Sequence, residues 1–436
     1  PESSSLCRPK IYIYPNKLGL KLDKETMDFR FDFRDVLRAG RLGFSTKKIF
    51  IHFIGLLLAY TINEILIYLS LLIVGVDNAR EFWNSYALLP ICPFVTDYSD
   101  FKLITKFVMW VGMFCYFVVF FLTSTMVSKV TIQQLRGDHF FSIRESGDFT
   151  KKNWKVIFGT FIGITLIFAF ALIMPITIGL LGMIPGVGHW IVMLSSILMP
   201  IAFLIGLLMA YLIVVLGVSL LFAPSVIATS DSDVFETIEQ HFSMIWNQPW
   251  RIIIYEGILL LTKIVCGLVW SFFCLIGFVL ILLPIHALIP KEVGVFMSHA
   301  NVFLGNLIEK SPNILNQIVV FDLLPPQSTD PIALKITGFI MAISILSALA
   351  LVAAYILSIA SAGNTVIYSI LRKRTDDENL LENEDLIPTF PDQSQEETDS
   401  NETEENAESV PEVSQTPEGK IAMETVTDNE EGKIDN

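Results

Sequence analysis

Six long apolar runs alternate with polar connections along the chain, at roughly 49–75, 103–128, 154–181, 191–222, 250–288 and 332–370. Each exceeds the ~20 residues a helix needs to cross the hydrocarbon of a bilayer. In lipid, a spanning segment must satisfy its own backbone polar groups, so these runs predict helices. The pattern predicts an all-α polytopic membrane protein with about six transmembrane helices. The fifth and sixth runs are longer than one crossing needs and must tilt, bend or extend beyond the bilayer. Gly267, Pro284 and Gly338 are the candidate bend points.

The connections carry their own periodicity. "DFRFDFRDVLRAGRLGF", residues 28–44, mixes Arg with Phe and Leu and predicts an interfacial amphipathic helix with Arg near anionic headgroups. In "SDSDVFETIEQHFSMIW", Asp233 is placed to cap a helix whose apolar positions are Phe235, Ile238, Phe242 and Ile245. Phe296, Ala300, Phe303, Leu304, Leu307 and Ile308 form a second apolar stripe. "SPNILNQIVV" after it predicts a further helix from Ser311 and Pro312. "GLLGMIPGVGHW", residues 179–190, predicts a tight hairpin. Gly159 and Gly163 form a G-x-x-x-G, and small residues crowd the sixth run from Ala348 to Gly363; both predict close helix packing. The aromatic-basic re-entries Trp154-Lys155 and Trp250-Arg251 also suggest three related hairpins, spans 1–2, 3–4 and 5–6.

Charge splits the chain. Residues from Thr375 onward hold 21 acidic and two basic side chains, net −19; the remainder holds 28 basic and 23 acidic, net +5. The acidic stretch has too few apolar residues to fold alone. Three regions follow: an N-terminal segment 1–48, a six-span domain 49–374, and a disordered acidic tail 375–436. Eleven Lys and Arg precede the first span and six lie between Lys129 and Lys155, while the alternate loops carry at most two each. This bias predicts a cell-membrane protein with both termini cytoplasmic. The first run starts too late for a cleavable signal and is expected to be an uncleaved span. The basic residues form no nucleic-acid motif, and the five cysteines show no disulfide or metal spacing.

No H-E-x-x-H, G-x-S-x-G or P-loop occurs, and no two of the six His pair at helical spacing. No connection is long enough for a catalytic domain, so neither an enzyme nor a cofactor is expected. The informative residues are charges inside spans, where a charge is costly and usually has a partner or a task. Glu64 lies about fourteen residues past the start of the first span, and Lys263 about thirteen past the start of the fifth, roughly 20 Å deep by helical rise. Equal depth predicts a Glu64–Lys263 ion pair, with Asn63 and Thr262 as polar neighbours and Glu256 two turns from Lys263.

"LLFAPSVIATSDSDVFETIEQHFSMIWNQPWRIIIYEGILLL" resembles the membrane-embedded half of bacterial membrane-anchored glycerophosphodiester phosphodiesterases and related uncharacterised multi-span bacterial proteins. The likeness rests on a span, a corner at Ala223-Pro224-Ser225-Val226, a short amphipathic helix and the Trp250-Arg251 re-entry. "NTVIYSILRKR" is similar to the end of some of those proteins. About 40 residues carry the match. The resemblance implies a bacterial inner-membrane architecture and no catalytic residue, because that family's chemistry belongs to a separate soluble barrel.

Two functions remain open on these residues. One is a non-enzymatic scaffold or accessory subunit, meeting lipids and protein partners through its outer amphipathic helices and tail. The other is a transporter or lipid-handling protein using Glu64, Lys263, Glu256 and Asn63.

Overall fold

In the computed structural model, residues 29–90, 101–230, 232–305, 327 and 329–381 are described. Every element among them is helical. The order is α1 (Phe33–Leu37), α2 (Ala39–Gly43), α3 (Thr46–Val74), α4 (Val76–Tyr86), α5 (Leu103–Leu135) and α6 (Ile143–Gly182). Then follow α7 (Gly188–Ser195), a 3-10 turn, α8 (Met199–Ser230), α9 (Val234–Asn247), α10 (Pro249–Leu288), α11 (Pro290–Phe303) and α12 (Ile332–Asp376). Six of these stretches are long and apolar enough to cross a membrane, and they match the six runs. The protein is an integral membrane protein of the all-α class.

α12 is the hub and packs against α2, α3, α5, α8, α10 and α11. Its small residues allow this: Ala354, Ser358, Ser361, Ala362 and Gly363 are buried. The bundle has two ends. We call proximal the end that carries α1, α2, α9 and the last turns of α12, and distal the end that carries α4 and α11. The spans are not covered equally. Only 6% of α10's most apolar stretch is buried by the rest of the chain, against 28% for α3. The remaining apolar surface suits lipid or a partner helix.

Several sequence expectations hold in detail. Asp233 caps α9, its Oδ1 accepting from Glu236 N at 3.0 Å. Gly159 and Gly163 do mark a close contact, and the partner is α9. A Cβ on them would lie 2.8 Å from Val234 and 2.7 Å from Ile238. The 179–190 turn is tight, for a Cβ on Gly188 would sit 2.1 Å from Gly182 O. Phe296, Ala300 and Leu304 are buried, as the α11 stripe requires. Leu307, Ile308 and the helix expected from Ser311 lie outside the described residues.

Other expectations change. α1 and α2 are docked into the bundle, not only laid along a surface. Val36, Ala39 and Leu42 are buried against α10 and α12. Gly40 and Gly43 permit this approach; a Cβ on Gly43 would lie 2.8 Å from the Ile359 backbone. Arg34, Arg41, Phe33 and Phe44 stay on the exposed face. The corner at Ala223-Pro224 is continuous helix, since α8 runs through Pro224 to Ser230. Proline removes one helical N–H, and tertiary donors and hydroxyls can re-satisfy the local carbonyls. Here Asn364 Nδ2 donates to Leu221 O at 2.8 Å, one residue from the Leu220 carbonyl that loses its helical donor to Pro224. α12 also runs two residues past 374. Arg372 pairs with Asp376 at 2.7 Å and Glu378 at 2.8 Å, and Leu380 is buried against the core. These contacts hold the first residues of the expected tail on the bundle.

Candidate functional site

The densest polar cluster lies at the proximal end, around α12. Lys48 and His52 are one turn apart on α3 and both are buried. Lys48 Nζ donates to Leu42 O at 2.9 Å, and His52 Nε2 meets Ser361 Oγ at 3.1 Å. Ser358 Oγ donates to Gly43 O at 2.7 Å and Tyr355 to Gly40 O at 3.3 Å, so buried side chains hold three carbonyls of the α2 region. Ser225 then bridges α5 and α12, 3.4 Å from Ser128 Oγ and 3.3 Å from Thr365 Oγ1.

Two cations close the same cluster. Lys129 Nζ donates to Ala228 O at 3.1 Å, and Arg136 reaches Thr229 O at 3.5 Å and Leu380 O at 3.0 Å. They sit where the carbonyls of α8 end and where its dipole favours positive charge. α9 is latched from the other side. Tyr368 donates to Gln240 Oε1, and Gln248 Nε2 to Thr375 Oγ1. Sequence reasoning missed this cluster. Its trace was there in the spacing of Ser358, Ser361, Thr365 and Ser369, polar positions three or four apart on an otherwise apolar helix.

The predicted residues fall in three places. Asn63 and Glu64 are buried on α3, Asn63 against α5. A Cβ on Gly112 of α5 would collide with Asn63 Oδ1, so the Asn63 side chain lies directly over that glycine. Glu256 and Lys263 are half-buried on α10, seven residues and about 10 Å apart along the helix. Thr262 is buried and donates to Ile258 O within its own helix, at 2.9 Å.

The structure does not bring Glu64 and Lys263 together. α3 packs on α5, α4 and α12, whereas α10 packs on α12, α11, α9, α1 and α2. Their common neighbour α12 gives the register. His52 meets Ser361, Leu259 meets Gly363, and Gly267 meets Ile356. Lys263 is thus within about 3 Å of the His52 level, while Glu64 is twelve residues, about 18 Å, further along α3. The two differ in depth by about 15 Å. Both helices run the same way and their side chains lean toward their own N-termini, so the offset persists at the charged tips. Counting depth from span starts fails because α10 begins well beyond the level at which α3 begins.

A cavity of about 360 Å³ opens at the proximal end between the start of α3 and the α5–α6 turn, lined by Lys47, Gln134, Asp138 and His139 among others. Glu64, Glu256 and Lys263 do not line it. Among the described residues, no three His, Cys, Asp or Glu side chains converge as a metal site needs. The sequence matches no protein-family model, and neither curated proteins nor solved structures gave a match.

Proposed function

We propose that this integral membrane protein is a non-enzymatic scaffold or accessory subunit of a membrane complex. One observation carries the reading. At the proximal end, polar side chains are committed to carbonyls and hydroxyls of neighbouring elements, which ties α2, α3, α5, α8 and α12 into one block. A carrier needs two arrangements of its helices, and a block joined this way favours one. The outer faces of α6, α8 and α10 remain broad and apolar, a surface for lipid and partner helices. In this reading the proximal end is cytoplasmic, in line with the Lys and Arg bias. Arg34 and Arg41 then face anionic headgroups, and the acidic tail and distal helices meet protein partners. Kinship with the membrane half of the phosphodiesterases would make this a bacterial inner-membrane platform.

The test is isolation from native membranes in mild detergent after cross-linking. A stoichiometric partner whose cross-links map to α6, α8 or α10 supports the scaffold. Its absence from every preparation counts against it. A second reading, a transporter or lipid-handling protein using Glu64, Glu256 and Lys263, is favoured by one feature only: a carboxylate buried within a span.

A further inference from the structure

Lys263 lies at the level of the proximal cluster, and Glu64 is a buried carboxylate within a span at a different level. On α5, residues 107–128 carry no charge, and at 22 residues they span about 33 Å, the thickness of the hydrocarbon. Gly112, which touches Asn63, is the sixth residue of that stretch, so Glu64 lies within the distal half of the membrane. Carboxylates buried inside membrane spans are costly and rare; they pair with other groups and mark ion and proton pathways.

The surroundings of Glu64 are specific. Tyr60 and Tyr68 are one turn to either side of it on α3. Tyr60 donates to Leu88 O at 2.7 Å and Tyr68 to Ala87 O at 2.6 Å. Both hydroxyls thus hold the turn that follows α4. Ala87 itself has φ +45, a left-handed conformation that a non-glycine residue keeps only when its surroundings impose it. Between Glu64 and the distal surface, Thr105 is buried, and its Oγ1 has no hydrogen-bond partner among the described residues. The ionisable groups on the elements packed against α3 are few near Glu64. On α5 they are Lys106, Cys115 and Tyr116, with Lys129 at the proximal end; on α4 they are Asp77, Arg80, Glu81 and Tyr86; on α12 Lys335 lies at the distal end and none occurs from Ile336 to Ala354.

We propose that Glu64 is an intramembrane cation-binding carboxylate, which takes up and releases a proton or a sodium-sized ion through a distal gate formed by Tyr60, Tyr68 and the Ala87–Leu88 turn. Asn63, wedged against Gly112, fixes α3 so that the carboxyl stays buried. Thr105 offers the next oxygen toward the distal surface. The proximal block does not move in this scheme; only the α4 turn does.

The test uses the full chain in sealed vesicles and N,N′-dicyclohexylcarbodiimide, an apolar reagent. A protonated carboxyl adds across one C=N bond, its oxygen going to the central carbon and its proton to nitrogen. An acyl shift from oxygen to nitrogen then leaves a stable N-acylurea, with no leaving group. Mass spectrometry locates the adduct. The expected result is modification at Glu64 that falls about ten-fold per pH unit once the carboxyl ionises. It disappears in Glu64→Gln and persists in Glu64→Asp and Glu256→Gln. Protection by excess sodium at constant pH assigns the bound cation to sodium, and lack of protection assigns it to the proton.

A water-soluble carbodiimide should reach Glu64 about ten-fold faster in a Tyr60→Phe, Tyr68→Phe double variant, because two hydrogen bonds no longer close the turn. Equal rates would remove the gate. An adduct on Glu256 with none on Glu64, or labelling of Glu64 that does not vary with pH, would overturn the proposal.

Discussion

His52 on α3 and Ser361 on α12 share a buried hydrogen bond of 3.1 Å, and this contact sets the depth of the charges around it. Lys48 lies one turn to the proximal side, Lys263 lies nearly level with it across α12, and Glu64 lies about 18 Å to the distal side. The bundle thus has a polar proximal end, where side chains bind carbonyls, and a buried carboxylate, Glu64, nearer the other end. The two have different consequences for stability and for function.

Glycines report the packing most cleanly. Gly43→Ala would place a Cβ 2.8 Å from Ile359 Cα and 2.9 Å from its N, and backbone does not yield. Overpacking of this kind costs about 1–3 kcal/mol. Gly206, Gly257 and Gly277 have nothing within 4 Å, so alanine there should be neutral or stabilise the helix by roughly 0.5–1 kcal/mol. Thermal melting in one detergent, compared across the four variants, checks both signs.

His241 predicts a pH dependence. It is fully buried on α9, and burial pushes its pKa down to about 4 against the pull of its bond to Thr237 O. The folded value lies below the unfolded value of about 6.5, so the unfolded chain binds the proton more readily. His241 therefore costs nothing above pH ~6.5, and stability falls as pH drops from there toward about 4, by about 3 kcal/mol at most. In His241→Leu this part of the slope should vanish, which denaturation at stepped pH would show.

At the distal end, His299 Nε2 lies 3.0 Å from Asp330 Oδ2 and joins α11 to the start of α12. A bond from Gln327 N, then the one from His299, holds the Asp330 carboxyl below its ordinary range. Its contribution is present above the unfolded pKa of about 4 and is lost as pH falls through the lower folded value. Asp330→Ala should speed amide exchange in α11 and leave α3 and α5 unchanged, as hydrogen–deuterium exchange can measure.

Much of this fold was legible in the sequence because lipid imposes a length rule and a polarity rule on every span. The six runs, the Asp233 cap, the Gly159–Gly163 contact and the tight 179–190 hairpin all follow from local pattern. What did not follow is register. Glu64 and Lys263 are similar distances from the starts of their apolar runs, yet α3 and α10 begin at different levels, and only contacts such as Leu259–Gly363 reveal the offset. The buried faces of Lys48 and His52 were hidden for a related reason. They sit at the edge of an apolar run, where an exposed, snorkelling side chain is the ordinary outcome. Pro224 marked a break by propensity, yet α8 continues through it, packed against α12 where Asn364 reaches Leu221 O.

The most direct test of the register is paired-cysteine cross-linking in native membranes, on a background without the other cysteines. A disulfide needs Cα atoms about 4.4–6.8 Å apart. Leu259→Cys with Gly363→Cys should cross-link nearly completely on mild oxidation, and Glu64→Cys with Lys263→Cys should not cross-link at all. A Glu64–Lys263 bridge, or a failure at 259–363 in a variant that folds and inserts normally, would contradict the arrangement described.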